Sequence, residues 1–227
     1  MNLAIIPARG GSKRIPRKNI KNFNGKPMIS WSIELAIESR VFDKIVVSTD
    51  DNEIQEIAIK KGAEVPFLRP KDLSDDHTPT APVVKHVITE LNQLGHNYKN
   101  VCCIYPCAPF IKPDDLKKSL QFLDKGFDFV YPVIEYTHPI QRAMQKDLDG
   151  IMKFIQPSFE LSRTQDLDKT FHDAGQFYWG KTLSWLSDKR MHSSGYGFEV
   201  PHWRFIDIDN PDDWQRAEIM HEILKRA

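Results

Sequence analysis

Apolar residues in this chain come in short blocks separated by longer stretches of mixed character. Leu3–Pro7, Lys44–Ser48, Val65–Leu68, Val101–Tyr105 and Phe127–Val133 are brief, apolar and rich in β-branched side chains. Such blocks predict buried strands of a parallel sheet. The stretches between them carry helical periods. Met28, Trp31, Ile33, Leu35 and Ala36 predict one helix. Ile54, Ile57, Ala58 and Lys61 predict a second, which Gly62 closes. Val83, Val84, Val87, Ile88, Leu91 and Leu94 form the clearest amphipathic face. A fourth helix is predicted from Pro113-Asp114-Asp115, with proline in the first turn and carboxylates at the positive end of the helix dipole. Strand alternating with helix predicts an α/β fold with a mostly parallel central sheet. Ligands in such folds sit at the carboxyl ends of the strands. The loop Pro7–Asn19, the Ser48–Asp50 end and the Tyr105–Pro109 end therefore fall on one rim.

The alternation lapses over about residues 135–172, where the chain is polar and punctuated by Pro139, Gly150 and Pro157. This segment is either an insertion that contacts a partner subunit or an irregular surface excursion. Sheet pattern returns at Gly175–Trp179 and Trp203–Asp207. A last helix begins near Asn210-Pro211-Asp212 and carries Trp214, Ala217, Met220, Ile223 and Leu224. With no internal repeat, residues 1–227 read as one domain.

Composition excludes several classes. Lys and Arg total 31, as do Asp and Glu, so the basic excess of a nucleic-acid binder is missing. No apolar run approaches the ~18 residues of a membrane span, and MNLAII does not begin a signal peptide. Cys102, Cys103 and Cys107 are odd in number and lack metal-ligand spacing, so buried small hydrophobes and a cytoplasmic setting are expected.

Charge is distributed unevenly all the same. IIPARGGSKRIPRKN follows the first strand and holds five cations: Arg9, Lys13, Arg14, Arg17 and Lys18. The first acid in the chain is Glu34, and seven Lys and Arg precede it. Something outside the polypeptide is expected to balance that charge. Gly10 and Gly11 permit a tight turn that exposes N–H groups, Ser12 adds a hydroxyl, and Arg9 and Lys13 add charge. The pattern is neither a Walker loop nor a dinucleotide fingerprint, yet its chemistry suits a polyphosphate. A solvated basic loop is the bland alternative.

Near the other end, FIDID places Asp207 and Asp209 on one face of an extended segment. Two such carboxylates can hold Mg²⁺, or can simply end a strand and cap a helix. Paired with the basic loop they suggest nucleotidyl transfer. SDDHTPT precedes the third helix, with Thr80 as its expected N-cap. His86 lies beside that helix's apolar stripe and reads as packing. In FHDAGQFYWG, His172, Asp173 and Gln176 can line a sugar pocket ahead of a core strand. Arg163 is a cation suited to a carboxylate or phosphate, or else solvated.

IIPARGGSKRIPRKN, IVVSTD, RPKDLSDDHTPT and WRFIDIDNPDDW together resemble the acylneuraminate cytidylyltransferase (CMP-sialate synthetase) family nearly end to end. IYPCAPF and FHDAGQFYWG look most like the branch acting on pseudaminic acid. Tyr105, Cys107 and Ala108 replace the Q-P-T-S-P of neuraminate-type members, and Asp173-Ala174-Gly175 departs from their N-G-A-I-Y. The resemblance implies a three-layer, Rossmann-like nucleotide-diphospho-sugar transferase fold with a dimerisation insertion. It implies a homodimer that joins CTP to the C2 hydroxyl of a nine-carbon 2-keto sugar acid, with Mg²⁺, for glycan biosynthesis. By motif position, Ala8, Arg9, Gly10, Gly11, Ser12, Lys13, Lys18 and Asn19 would hold the CTP phosphates, and Arg69, Asp76 and Thr80 would lie near the cytidine. Tyr105, Arg163, Asp173, Gln176 and Phe177 would face the sugar acid, and Asp207 and Asp209 would hold the metal. Catalysis would rest on Arg9, Lys13, Asp207 and Asp209, with the proton taken by Asp207 or the hydroxyl activated by the metal. The alternatives are N-acetylneuraminate, legionaminate or Kdo as the sugar, or a non-catalytic nucleotide-binding protein on the same fold.

Overall fold

The structure is a computed structural model and describes residues 1–226. The chain opens with β1 (Asn2–Pro7), the basic loop, and a two-residue ladder of β2 (Asn22–Phe23) and β3 (Lys26–Pro27). α1 (Met28–Ser39), β4 (Lys44–Ser48), α2 (Asn52–Lys60), α3 (Thr80–Gln93), β5 (Asn100–Ile104), α4 (Pro113–Asp124) and β6 (Phe129–Glu135) follow. The excursion contains a small hairpin, β7 (Met144–Lys146) and β8 (Met152–Phe154), and ends in β9 (Phe171–Asp173). β10 (Phe177–Lys181), α5 (Thr182–Leu186), α6 (Met191–Ser194), β11 (Gly195–Glu199) and α7 (Pro211–Arg226) complete the chain.

The central sheet runs β11-β6-β10-β5-β1-β4, with β9 also on β6. β4, β1 and β5 are mutually parallel, as are β11 and β6, while β10 runs antiparallel between β5 and β6. Strand pleating sends alternate residues of β1 to opposite faces. Ala4 and Ile6 pack with α1, α2 and α4, through Ile33, Ile54 and Leu116. Leu3 and Ile5 pack with α3 and α5, through Val84, Ile88 and Trp185. That double burial is why these strands read as unbroken apolar blocks. A third cluster lies off the sheet and joins Ile15 of the basic loop, Phe23, Phe110, Ile208 and Trp214 of α7.

Two expected strands are not in the sheet. Val65–Leu68 makes no ladder: Glu64 forms one isolated bridge to Val46, and Pro66 then removes a donor. Trp203–Asp207 begins as a 3₁₀ turn over His202–Arg204 behind Pro201 and continues as unpaired chain. Its apolar Ile208 is buried in the third cluster instead. β11, which the sequence reading did not find, carries two glycines within five residues. A Cβ at Gly195 would lie 2.5 Å from the Tyr131 ring, so this edge strand fits against β6 only without one.

Candidate active site

The carboxyl ends of β1, β4 and β5 share one rim, as parallel strands require. Being antiparallel, β10 presents its beginning there, which brings Gln176 beside Tyr105: the Tyr105 N–H donates to the Gln176 carbonyl at 2.8 Å. Over this rim lies a cavity of ≈ 370 Å³, within the range of about 300–1,000 Å³ usual for small-molecule sites. The basic loop forms one wall, and Phe205–Asp209 faces it. Leu73–Thr80 and the residues after β5 supply the rest.

The two chain ends touch. Arg14 pairs with Asp209 at 2.6 Å, Lys18 lies 3.9 Å from Asp209, and the Lys18 ammonium donates to the Ile208 carbonyl. Ile15 and Ile208 are both nearly inaccessible in the cluster beneath. Burying such a side chain contributes about 1.5–3 kcal/mol, so the loop and the carboxylate arm are held by packing as well as charge.

The cations are less naked than the sequence suggests. Asp76 sits between Arg9, at 2.9 Å, and Lys13. Arg9 also donates to the Asp75 carbonyl. Arg17 turns away from the cavity to a fork on Asp51, at 2.5 and 3.0 Å, and to Glu53 at 2.5 Å. The expectation that only an external group balances the loop is thereby corrected: acids distant in sequence supply part of the balance. Counted over the lining residues, five cations (Arg9, Lys13, Arg14, Lys18, Arg69) meet four carboxylates (Asp75, Asp76, Asp207, Asp209). Arg69 feels the charge of Asp50 without an ion pair. It is buried and held by the Ser48 hydroxyl at 3.0 Å and the Ser48 carbonyl, and it pairs with no carboxylate among the described residues. Burial lowers its pKa to about 10, which still leaves it charged at neutral pH. A buried guanidinium facing a cavity is a strong attractor for an anion.

Ser12, Lys13, Lys18, Asn19, Asp76, Thr80, Tyr105, Gln176, Asp207 and Asp209 all line the cavity, with Arg9 and Arg69. Several expected roles change. Ala8 is fully buried in the core, and neither Gly10 nor Gly11 lines the cavity. The Gly10 N–H donates to Asp50 at 3.0 Å. Gly10 is glycine because a Cβ there would lie 2.5 Å from Asp51 Oδ2. Thr80 is the first residue of α3, with Pro79 as the cap, and its hydroxyl shares a 2.7 Å hydrogen bond with Tyr105 Oη. Phe177 is fully buried in the sheet. Asp173 does not line the cavity; it accepts from the Gly175 N–H, the Tyr178 hydroxyl and His192, each at 2.8 Å. Arg163 lies outside the cavity on the excursion, paired with Asp166 at 2.7 Å.

Cys107, Arg14 and Phe205 are among the lining residues that the sequence did not assign to this site. Cys107 donates to Asn19 Oδ1 at 3.3 Å, and burial pushes its thiol up to about 12, so it stands there as a neutral thiol. Arg14 and Phe205 also reach the wall. Arg14 was legible only as one more loop cation, since its partner Asp209 is a tertiary neighbour.

The carboxylate pair suits a divalent cation. Partial desolvation and the Asp209 charge raise the Asp207 carboxyl, and Asp207 has no ion-pair partner among the described residues. Two mutually repelling carboxylates on a cavity wall are a hard, oxygen-only donor set. No third His, Cys, Asp or Glu joins them among the described residues. Magnesium sites often use one or two carboxylates and complete the shell with water and phosphate oxygens.

A cationic loop facing paired carboxylates over the rim of a mostly parallel sheet defines an α/β protein of the nucleotidyltransferase type. A family model described as cytidylyltransferase matches residues 3–199, and the chain belongs to that family. Pseudaminic acid cytidylyltransferase of Campylobacter jejuni is 43% identical over 226 residues, covering 98% of this chain and 97% of that protein. CMP-N,N'-diacetyllegionaminic acid synthase of Legionella pneumophila is 28% identical over 99% of this chain and 98% of its own length. Among solved structures, a CMP:2-keto-3-deoxy-manno-octonic acid synthetase complexed with CTP superposes with a TM-score of 0.72. That match covers 100% of this chain and 99% of the other at 16% identity, and it establishes the fold.

Proposed function

We propose that this chain joins CTP to a nonulosonic acid, pseudaminic acid, releasing pyrophosphate and a CMP-sugar for glycan biosynthesis. The observation that carries the reading is the meeting of Arg14 and Asp209 at 2.6 Å across one cavity, which unites the cationic loop with the carboxylate arm. The choice of sugar is supported by two Campylobacter jejuni relatives of that name, 43% and 42% identical over 98% of this chain. Arg9, Lys13, Lys18 and Arg69 hold the nucleotide's phosphates and compensate the charge that grows on the departing pyrophosphate. Ser12 donates to a phosphate oxygen. Asp207 and Asp209 would hold Mg²⁺, which would supply Lewis-acid polarisation of the phosphate oxygens. Tyr105 and Gln176 face the sugar acid, and Thr80 lies near the cytidine. The anomeric C2 oxygen bonds to the α-phosphorus as the α–β bridging P–O bond breaks. The hydroxyl gives up its proton either to Asp207 or, with the cation holding Asp207, directly to water.

The excursion over residues 140–171 exposes a run of large apolar side chains, including Leu148, Ile151, Ile155 and Leu161. We place the homodimer contact there. The reduced Cys102, Cys103 and Cys107 fit a cytoplasmic setting. The test is a substrate panel: purified protein, CTP and Mg²⁺ with pseudaminic, legionaminic, N-acetylneuraminic or Kdo acid, reading pyrophosphate. Fastest turnover with pseudaminic acid is expected. A preference for another acid reassigns the sugar, and CTP binding without pyrophosphate from any acid overturns the enzymatic reading.

A further inference from the structure

The arm Phe205–Asp209 belongs to no sheet, yet it must hold two carboxylates in register with the basic loop. The loop side is fixed by Lys18, Arg14 and the Ile15–Ile208 packing. At the arm's downstream end, Asp213 in the first turn of α7 accepts the N–H groups of Asp209 at 3.1 Å and Asn210 at 3.2 Å. The upstream end is fixed at one residue. Arg204 is buried, and its guanidinium forks onto both carboxylate oxygens of Asp115 at 2.5 and 3.0 Å. Asp115 is itself buried in the first turn of α4, where Oδ2 also accepts the Lys112 N–H at 2.8 Å. The Arg204 carbonyl in turn accepts from the buried Gln176 side chain at 2.7 Å. One residue thus ties the carboxylate arm, the start of α4 and the cavity-lining Gln176 together, and neither Arg204 nor Asp115 lines the cavity.

We infer that the Arg204–Asp115 fork is the positioning device for the metal-binding arm. It sets where Asp207 and Asp209 stand without touching metal or substrate. The bidentate geometry suits this role, because two parallel bonds fix the guanidinium plane and hence the direction in which the backbone leaves Arg204. A lysine keeps the charge and loses that plane. The inference rests on the assignment of Asp207 and Asp209 to the metal.

The experiment is Mn²⁺ titration of the protein with CTP and no sugar acid, followed by electron paramagnetic resonance, beside CTP titration with the metal chelated. Arg204→Lys is expected to weaken Mn²⁺ by at least ~10-fold while shifting metal-free CTP affinity less than ~3-fold. Unchanged Mn²⁺ affinity overturns the inference, as does an equal loss of both affinities, which marks general loosening. Asp115→Asn keeps shape and one acceptor oxygen, and is held to the same two criteria should Arg204→Lys not fold. If the unsubstituted protein binds no Mn²⁺ with CTP, the metal assignment itself fails and the inference with it. An intact wild-type Mn²⁺ site that Arg204→Lys also retains refutes the fork alone.

Discussion

Lys13 shows what a single position reveals in sequence and what it conceals. Its side chain is 80% exposed and, among the described residues, pairs with Asp76 alone, so its removal should cost the fold little. Its charge at the cavity mouth is what a departing pyrophosphate needs. Lys13→Ala is therefore expected to lose ~10²–10³ in kcat with saturating CTP and Mg²⁺, and Asp209→Ala at least as much. Thermal melting should stay near the parent value for Lys13→Ala, and near-parental turnover removes either residue from the mechanism. Gly10 conceals more. A Gly-Gly turn after a strand reads as a phosphate cradle, and the reason for the first glycine is the Asp51 carboxylate packed against it. Asp51 has two further tasks, accepting the Ile54 N–H as the N-cap of α2 and pairing with Arg17. Arg17 holds its carboxyl below the ordinary range. Residue type announced the chemistry of the loop, but Asp50, Asp51 and Asp76, which complete it, lie far along the chain.

At the scale of elements, strong periodicity was legible. β1, β4, β5 and the five predicted helices stand within a few residues of their expected places, because each has an apolar side that only one period satisfies. Failure came where apolar residues serve something other than the sheet. Val65–Leu68 and Trp203–Asp207 are β-rich in composition, but Pro66 and Pro201 withhold backbone donors and Ile208 finds its burial off the sheet. The excursion had no period to read, and its organisation is local: the β7–β8 ladder spans three residue pairs. Leu148 at the tip of that hairpin and Leu161 beyond it are almost wholly exposed. Leu148→Asp with Leu161→Asp is expected to convert a dimer to a monomer in analytical ultracentrifugation while leaving the far-ultraviolet circular dichroism unchanged. A monomeric parent protein at micromolar concentration, or a dimer indifferent to both charges, rejects the placement.

Across the whole molecule, the last helix closes the first loop. α7 sets Trp214 and His221 against Phe23, with ring centroids 5.4 and 5.2 Å apart, and Asn24 meets His221 Nδ1 at 3.1 Å. Burial, then the charges of Lys225 and Lys26, lowers the His221 pKa to about 4. The unfolded chain takes up that proton near pH ~6.5 and the folded one only near the lowered value. Stability is thus fully present above pH ~6.5 and is lost as the pH falls towards His221's own value, by up to ~3 kcal/mol. His221→Gln should flatten the fall in melting temperature between pH 6.5 and 4, and an identical slope in both proteins refutes the assignment. The amino-acid sequence by itself determined the layered α/β plan, the rim on which the site stands, and the complementary chemistry of a cationic loop and a paired carboxylate. These follow from local period and residue type, which neighbours in the chain suffice to express. Only the tertiary structure decided which acids balance the loop, that Arg14 lines the cavity while Asp173 and Phe177 do not, and that Arg204 anchors the arm. Those are pairings between distant segments, fixed when packing brings charges and donors within hydrogen-bond reach.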